Sequence, residues 1–130
     1  MNREISKLWT DKLRSGKISQ CSGWLGKSDG SRCCLGVLCD LYVDAHPGTP
    51  LAPGDNYPIP DDPNRAMTYG TVAAALPGKV MEWAGMRTAD GRLTRTHIGD
   101  MRYASLAAAN DSGSSFKEIA DLIDENKDSL

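Results

Sequence analysis

The sequence lacks long apolar runs and has few aromatic side chains. Only 6% of its 130 residues are aromatic, and one of them is phenylalanine. No segment approaches the roughly 20 consecutive apolar residues that cross a bilayer. Residues 1–16 are charged and amphipathic, without the apolar block of a secretory signal. These absences argue against a membrane protein and against export, so we expect a cytoplasmic protein.

The sequence also lacks a large net charge of either sign, because its 15 Lys and Arg residues nearly balance its 17 Asp and Glu residues. A pI near 5.6 gives no overall basic surface for long nucleic acid. The distribution is uneven, with basic side chains in excess over residues 1–34 and 66–105 and acidic ones in excess over 35–65 and 106–130. Either these segments face each other or simply keep the surface solvated, or a local basic patch binds an anionic ligand.

Cysteine spacing typical of a zinc site is missing as well. The cysteines are Cys21, Cys33, Cys34 and Cys39. Their spacing is C-x11-C-C-x4-C, so no second C-x2–4-C knuckle pairs with Cys34-x4-Cys39 as in most zinc sites. His46 and His97 have no partner at ligand spacing. Reduced, buried thiols that act as small hydrophobes are the favoured interpretation, ahead of a metal site or a reactive thiol. We predict no cofactor and no metal.

What is present is typical of one globular domain. Hydrophobic residues make up 40% and charged residues 25% of the chain. A chain of this length buries roughly two thirds of its unfolded surface, enough for a core without disulfides. We predict a single α+β domain over residues 1–130, with about four helices and two short β-hairpins.

Apolar periodicity and turn residues predict the elements of the first half. Apolar residues recur at helical spacing from Ile5 to Leu13 and predict a first helix, which ends at Ser15-Gly16. The Asp29-Gly30 pair indicates a β-hairpin of 18–25 with 31–34. Residues 34–43 predict a second helix, in which Gly36 costs about 1 kcal/mol and allows close backbone packing. Residues 46–65 hold six of the seven prolines and predict a loop without regular structure, either a functional flap or a mobile insertion.

The second half has similar local signals. A short strand is predicted within 66–76, and a helix from Leu76-Pro77 to Gly85. Asp90-Gly91 predicts a second hairpin over 86–96, followed by a short helical or irregular piece at 101–109. Ser115-x-x-Glu118 is a capping box that opens a final helix. Residues 125–130 are expected to be a frayed tail.

Motifs for catalysis are absent. The chain has no P-loop, GxGxxG, HExxH or GxSxG sequence. Asp61-Asp62 is a pair of carboxylates, but a proline loop does not supply the rigid, desolvated setting that acid–base catalysis needs. We therefore favour a protein that is not an enzyme.

Arginines are concentrated between residues 87 and 103. Guanidinium groups match phosphate, and aromatic faces stack on bases. Trp24 and Arg32 complete such a site if the two hairpins are neighbours, while Asn110 and Asp111 either coordinate a ligand or bond a turn. The alternative is an edge hairpin kept soluble by charge. The candidate ligand-binding residues are Trp24, Arg32, Arg92, Arg95, His97, Arg102, Tyr103, Asn110 and Asp111.

Three strings, at 33–40 (CCLGVLCD), 76–85 and 110–121, resemble a family of small uncharacterised proteins encoded by tailed bacteriophages and prophages. The resemblance covers most of the chain apart from the proline loop. It implies a shared fold and a phage accessory protein acting in the bacterial host cytoplasm. Many small phage proteins counter host defence, some by sequestering nucleotide immune signals, which is an analogy of context.

These observations lead to one hypothesis and two alternatives. The leading hypothesis is a non-enzymatic, homo-oligomeric protein that sequesters a small anionic ligand, such as a nucleotide used as a host immune signal. The first alternative is an inhibitor that binds a host protein through the proline loop or the acidic final helix. The second is a small enzyme acting on a nucleotide.

Overall fold

Five helices and two antiparallel strand pairs form the described part of the chain, which in this computed structural model is residues 1–94, 97–98 and 101–130. The helices are α1 (Arg3–Arg14), α2 (Cys34–Ala45), α3 (Gly78–Ala84), α4 (Leu106–Asp111) and α5 (Phe116–Asn126). The strands are β1 (Gly54–Pro58), β2 (Arg65–Thr68), β3 (His97–Ile98) and β4 (Met101–Arg102). The predicted α+β class is confirmed. Among the described residues, no helix has the length and apolarity to cross a membrane.

Helix α1 forms where the apolar periodicity predicts it. The side chain of Asn2 accepts a hydrogen bond from Ile5 N and caps the helix. Gly16 follows the last turn with φ +70°, a conformation that favours glycine. One face is buried against α2 and α5, and the Trp9 indole Nε1 donates to Cys34 O at 2.8 Å. The tryptophan therefore joins α1 to the start of α2.

Helix α2 occupies the centre of the core, as its apolar sequence predicts. Every residue from Cys34 to Cys39 is buried. A Cβ placed on Gly36 would lie 1.8 Å from Leu25 O, so the helix contacts the preceding loop backbone directly. The predicted close packing at Gly36 is confirmed.

The later helices also begin and end at the predicted signals. Gly85 ends α3 in the left-handed conformation, with φ +71°. At α5 the predicted capping box is present: Glu118 N donates to Ser115 Oγ at 3.2 Å, and Ser115 N donates to Glu118 Oε1 at 3.0 Å. Phe116, Ile119 and Ile123 then bury the apolar face of α5.

The predicted first hairpin, 18–25 with 31–34, is wrong in most of its length. Around the Asp29-Gly30 turn, Lys27 N donates to Ser31 O and Cys33 N donates to Leu25 O. Residues 18–24 form no strand. Residues 19–21 do bond Arg32, but Gln20 pairs with it in the parallel sense, which a hairpin does not allow. Leu25 N also donates to Ala73 O and Gly26 O accepts from Met67 N, so contacts with a distant segment add to the local pairing.

The prediction of an irregular loop over 46–65 is wrong for its second half. Strand β1 lies within it and pairs with β2, with Gly54 opposite Thr68 and Pro58 opposite Arg65. Pro58 is the last residue of an edge strand, where a missing N–H is tolerated. The proline content predicted the turns around this strand but gave no signal for the strand itself.

The second predicted hairpin, over 86–96, is also wrong, and its last two residues lie outside the described residues. Asp90 O and Gly91 O accept from Ala107 N and Leu106 N, while Leu93 N donates to Ala104 O. Residues 90–93 thus pair with 104–107. The hairpin is formed by β3 and β4 further along the chain, and the piece predicted at 101–109 comprises β4 and most of α4.

The final residues are docked, so the prediction of a frayed tail is wrong. Leu130 is only 1% exposed, and its carbonyl oxygen accepts from Arg87 N at 2.6 Å. Asn126 is also buried, and its Oδ1 accepts from Thr94 N at 3.1 Å. Hydrogen bonds to the backbone of the 87–94 segment hold the residues that the polar sequence alone suggested would be free.

Candidate functional site

An open groove of about 620 Å³ lies beside the paired segments 92–94 and 102–105. The described side chains that line it are Arg92, Leu93, Thr94, Arg102, Tyr103 and Ala104. Leu93 is buried in the core, and successive residues of an extended chain point to opposite sides. Arg92 and Thr94 are accordingly exposed. The volume lies within the range of small-molecule sites.

The charge of the groove is positive. Arg92 and Arg102 are exposed, and neither forms an ion pair in the part of the chain that the structure describes. None of the described lining residues is acidic. Arg14 differs, because its guanidinium contacts Asp121 at 2.8 Å and Asp124 at 2.7 Å. Arg92 and Arg102 are therefore available to bind an anion from solution.

The backbone around Arg92 is fixed on both sides. Arg92 N donates to Thr88 Oγ1 at 2.8 Å, and Arg92 forms a bridge with Ser105. Ser105 also caps α4, since its Oγ accepts from Ala108 N at 3.1 Å. Gly91 has φ +69° and packs on Leu106, so a side chain would be strained there. One wall of the groove therefore rests on a helix start and the core.

Several predicted site residues are not among those that line this groove. Arg95 lies outside the described residues. His97 lies opposite Arg102 in the β3–β4 register, but its side chain is not among those described. Trp24 is half-buried and is not a lining residue, and Arg32 lines a different cavity. The structure thus brings together Arg92, Arg102 and Tyr103, with Thr94 as a further member that sequence reasoning missed.

Arg32 belongs to a partly buried polar network. Its Nε donates to Asp40 Oδ2 at 2.8 Å, and Tyr69 Oη donates to Asp40 Oδ1 at 2.5 Å. Burial acts to lower the pKa of Arg32, but Tyr69 and Asp40 beside it outweigh burial and raise it. Burial, followed by the charge of Asp40, raises the pKa of Tyr69. The network joins α2 to the residue after β2.

Asn110 has no free hydrogen-bonding capacity. Its Oδ1 accepts from Cys34 N at 3.1 Å and Gln20 Nε2 at 2.9 Å. Its Nδ2 donates to Cys21 O at 2.8 Å and Asp111 Oδ1 at 3.4 Å. An amide has two donors and two acceptor positions, and all four are used. Asp111 in turn accepts from Gly23 N at 2.8 Å, so both side chains bond the 20–23 segment.

All four cysteines are buried and unbridged, as predicted. Burial raises the pKa of Cys33 to about 12 and also raises the pKa values of Cys21, Cys34 and Cys39. Among the described residues, no group of three or more His, Cys, Asp or Glu side chains could hold a metal ion. The arrangement is that of protonated thiols packed in a core.

Alkylation will test this assignment. We expect iodoacetamide at pH 8 to leave Cys33, Cys34 and Cys39 unmodified in the folded protein, because only the thiolate reacts, and to modify all four cysteines in denaturant. Rapid modification of Cys33 in the folded protein, measured by mass spectrometry, would contradict the assignment.

A thiol pKa that is raised in the folded state also affects stability. The free energy of unfolding should fall as the pH rises above 9.0, the ordinary pKa of a thiol.

A second cavity, of about 370 Å³, lies between α1, α2 and the proline segment. Lys12, Arg32, Asp40 and Asp44 line it together with apolar side chains. No sequence signal indicated it, because its residues come from segments that are distant along the chain. It is separate from the groove and has a different charge pattern.

Comparison with known proteins yields one family. The model of a family described as a domain of unknown function (DUF8296) matches residues 1–127. No curated protein and no solved structure matches the chain.

Proposed function

This chain belongs to the DUF8296 family, whose description assigns no activity, and we propose that it is a non-enzymatic protein that binds a small phosphate-bearing, nucleotide-like ligand in the groove of Arg92 and Arg102. The observation that carries the proposal is the pair of exposed guanidinium groups beside Tyr103, in a groove whose described lining has no acid.

The chemistry of the lining residues supports this ligand class. Guanidinium groups form paired hydrogen bonds with phosphate oxygens. Tyr103 is half-buried and offers an aromatic ring next to Arg102, and aromatic rings stack on bases of any sequence. The hydroxyl of Thr94 lies 3.2 Å from Asn126 Oδ1 and 2.9 Å from Ser129 Oγ, so it bonds the end of α5 and is not assigned to the ligand. In the proposed complex, a phosphate group of the ligand binds the two arginines and the base of the same ligand stacks on Tyr103.

The biological setting is part of the proposal and comes from the resemblance of three sequence strings to phage proteins. In that setting the protein is an accessory factor in the bacterial host cytoplasm that sequesters a nucleotide immune signal. A homo-oligomer belongs to the same proposal, and light scattering after size-exclusion chromatography measures it. Binding without turnover is expected because the groove's described lining offers no nucleophile paired with a general base.

Calorimetric titration with mono-, di- and cyclic nucleotides tests the proposal. At least one nucleotide should bind and raise the melting temperature, because it binds only the folded state. Arg92→Ala and Arg102→Ala should each weaken binding by about tenfold or more, the loss expected for one hydrogen bond to a charged group. Both residues are exposed, so the melting temperature without ligand should stay nearly unchanged.

Arg65→Ala is the matched control. Arg65 is an exposed arginine of β2, and in the described chain its side chain forms no ion pair. This variant should bind the nucleotide as tightly as the parent protein. If no nucleotide binds, or if all three variants lose affinity equally, the groove is not the site. A nucleotide that is converted during the titration would favour a small enzyme instead.

A further inference from the structure

The cavity between α1 and α2 has charges of both signs and apolar walls. Asp40 and Asp44 are one helical turn apart on α2 and line the cavity together with Lys12 of α1 and Arg32. Ile18, Leu41 and Pro53, which are half-buried, supply apolar surface. Its two basic and two acidic side chains cancel, whereas the charged residues in the described lining of the groove are Arg92 and Arg102 alone.

Two of the four charges neutralise each other inside the protein. Arg32 has 12% of its side chain exposed and contacts Asp40 at 2.8 Å. The other oxygen of Asp40 accepts from Tyr69, which is fully buried. The Arg32 side chain also packs closely on the Gly26 backbone, where an added Cβ would lie 2.7 Å from Arg32 Cδ. The network therefore forms a rigid polar floor with no net charge.

The remaining two charges are available. Lys12 and Asp44 are both exposed, and neither forms an ion pair with any residue that the structure describes. They line the same cavity, but no contact within 4.0 Å joins them. A ligand with a single charge would pair with only one of these two side chains. A ligand with one positive and one negative charge would pair with Lys12 and Asp44 together.

We propose that this cavity binds a small aliphatic zwitterion, namely a free amino acid with a branched apolar side chain. Its carboxylate contacts the Lys12 ammonium group, and its ammonium group contacts the Asp44 carboxylate. Its side chain packs on Ile18, Leu41 and Pro53. The volume of about 370 Å³ is at the lower end of the range for small-molecule sites, which suits a ligand of this size. This site is independent of the nucleotide groove.

Titration with L-leucine, followed by amide chemical shifts in NMR spectra, tests the proposal. The amides of Val37 and Leu41 should shift with a saturable dependence on concentration. Leucinamide lacks the carboxylate and N-acetyl-leucine lacks the ammonium group, so each should bind about tenfold more weakly or worse. Nucleotides should leave these amides unchanged, which separates this test from that of the groove.

Variants complete the design. Lys12→Ala and Asp44→Ala should each raise the dissociation constant for leucine by about tenfold or more, with the melting temperature nearly unchanged because both residues are exposed. Lys79→Ala and Glu82→Ala, exposed residues of α3 away from the cavity, are the controls and should bind leucine normally. The proposal is wrong if leucine causes no saturable shift, if its singly charged analogues bind as well, or if Lys12→Ala and Asp44→Ala bind leucine normally.

Discussion

Gly36→Ala should lower the free energy of unfolding by about 3 kcal/mol or more, the upper end of what inserting one carbon into a packed core costs. The added Cβ would lie 1.8 Å from Leu25 O and 2.7 Å from Leu25 C. Both are backbone atoms, so no side-chain rotation relieves the overlap. Either α2 or the 25–26 segment must move, and urea denaturation followed by circular dichroism measures the loss.

The reason for the large effect is that several contacts depend on this approach. Leu25 is fully buried, and Leu25 O accepts from Cys33 N at 3.0 Å. Gly26 O accepts from Met67 N at 2.8 Å, which connects the same segment to β2. Moving residues 25–26 away from α2 therefore disturbs the pairing on both sides of the loop.

Gly78→Ala is the control for the intrinsic effect of alanine in a helix. Gly78 is the first residue of α3, and a Cβ built on it meets no atom within 4 Å. This variant should be neutral or more stable by up to about 1 kcal/mol, because alanine is the better helix former. If Gly36→Ala unfolds at the same urea concentration as the parent protein, the contact of α2 with Leu25 is not as described.

Elements whose signals are local could be predicted from the sequence. The capping box at Ser115 and Glu118 lies within one helical turn, and the glycine that ends α3 acts on its own residue. Both predictions are confirmed because no distant segment competes for the same capping hydrogen bonds. The same local logic identified Arg92, Arg102 and Tyr103, which are close in sequence and remain close in the groove.

Elements that depend on distant partners could not be predicted in this way. Each Asp-Gly pair marks a turn, but a turn does not say which strand follows. Asp90 O and Gly91 O bond the start of α4 instead of a neighbouring strand. The 25–28 segment bonds both its own turn and β2. Strand propensity is decided by such tertiary contacts, which leave no periodic trace in the sequence.

The two sites differ in the same respect. The groove is formed by one ribbon and could be suspected from the density of arginine between residues 87 and 103. The cavity of Lys12 and Asp44 needs α1 and α2 to be packed together before it exists. Arg32 was expected at the anionic site but is paired with Asp40 in this cavity. The fold therefore separates Arg32 from Arg92 and Arg102, which the sequence analysis had grouped in one site.

Asn110→Ala should lower the free energy of unfolding by about 3 kcal/mol, because it leaves buried polar groups without partners at about 1–3 kcal/mol each. Cys34 N, in the first turn of α2, loses the acceptor Asn110 Oδ1, and Cys21 O loses the donor Nδ2. Both cysteines are buried, so water does not readily replace the amide. Asn110 holds three segments together: α4, the start of α2 and the loop at residues 20–21.

Gln20→Ala is the matched control for the loss at Asn110. Gln20 is exposed, and its Nε2 donates to Asn110 Oδ1 at 2.9 Å and to Ser114 O at 2.8 Å. Removing it leaves the bond from Cys34 N to Asn110 in place, so the loss should stay below about 1 kcal/mol. A residue that only contacts a ligand would behave differently, because its replacement would weaken binding and leave unfolding unchanged. An Asn110→Ala variant with the parent's urea midpoint would therefore contradict the structural role.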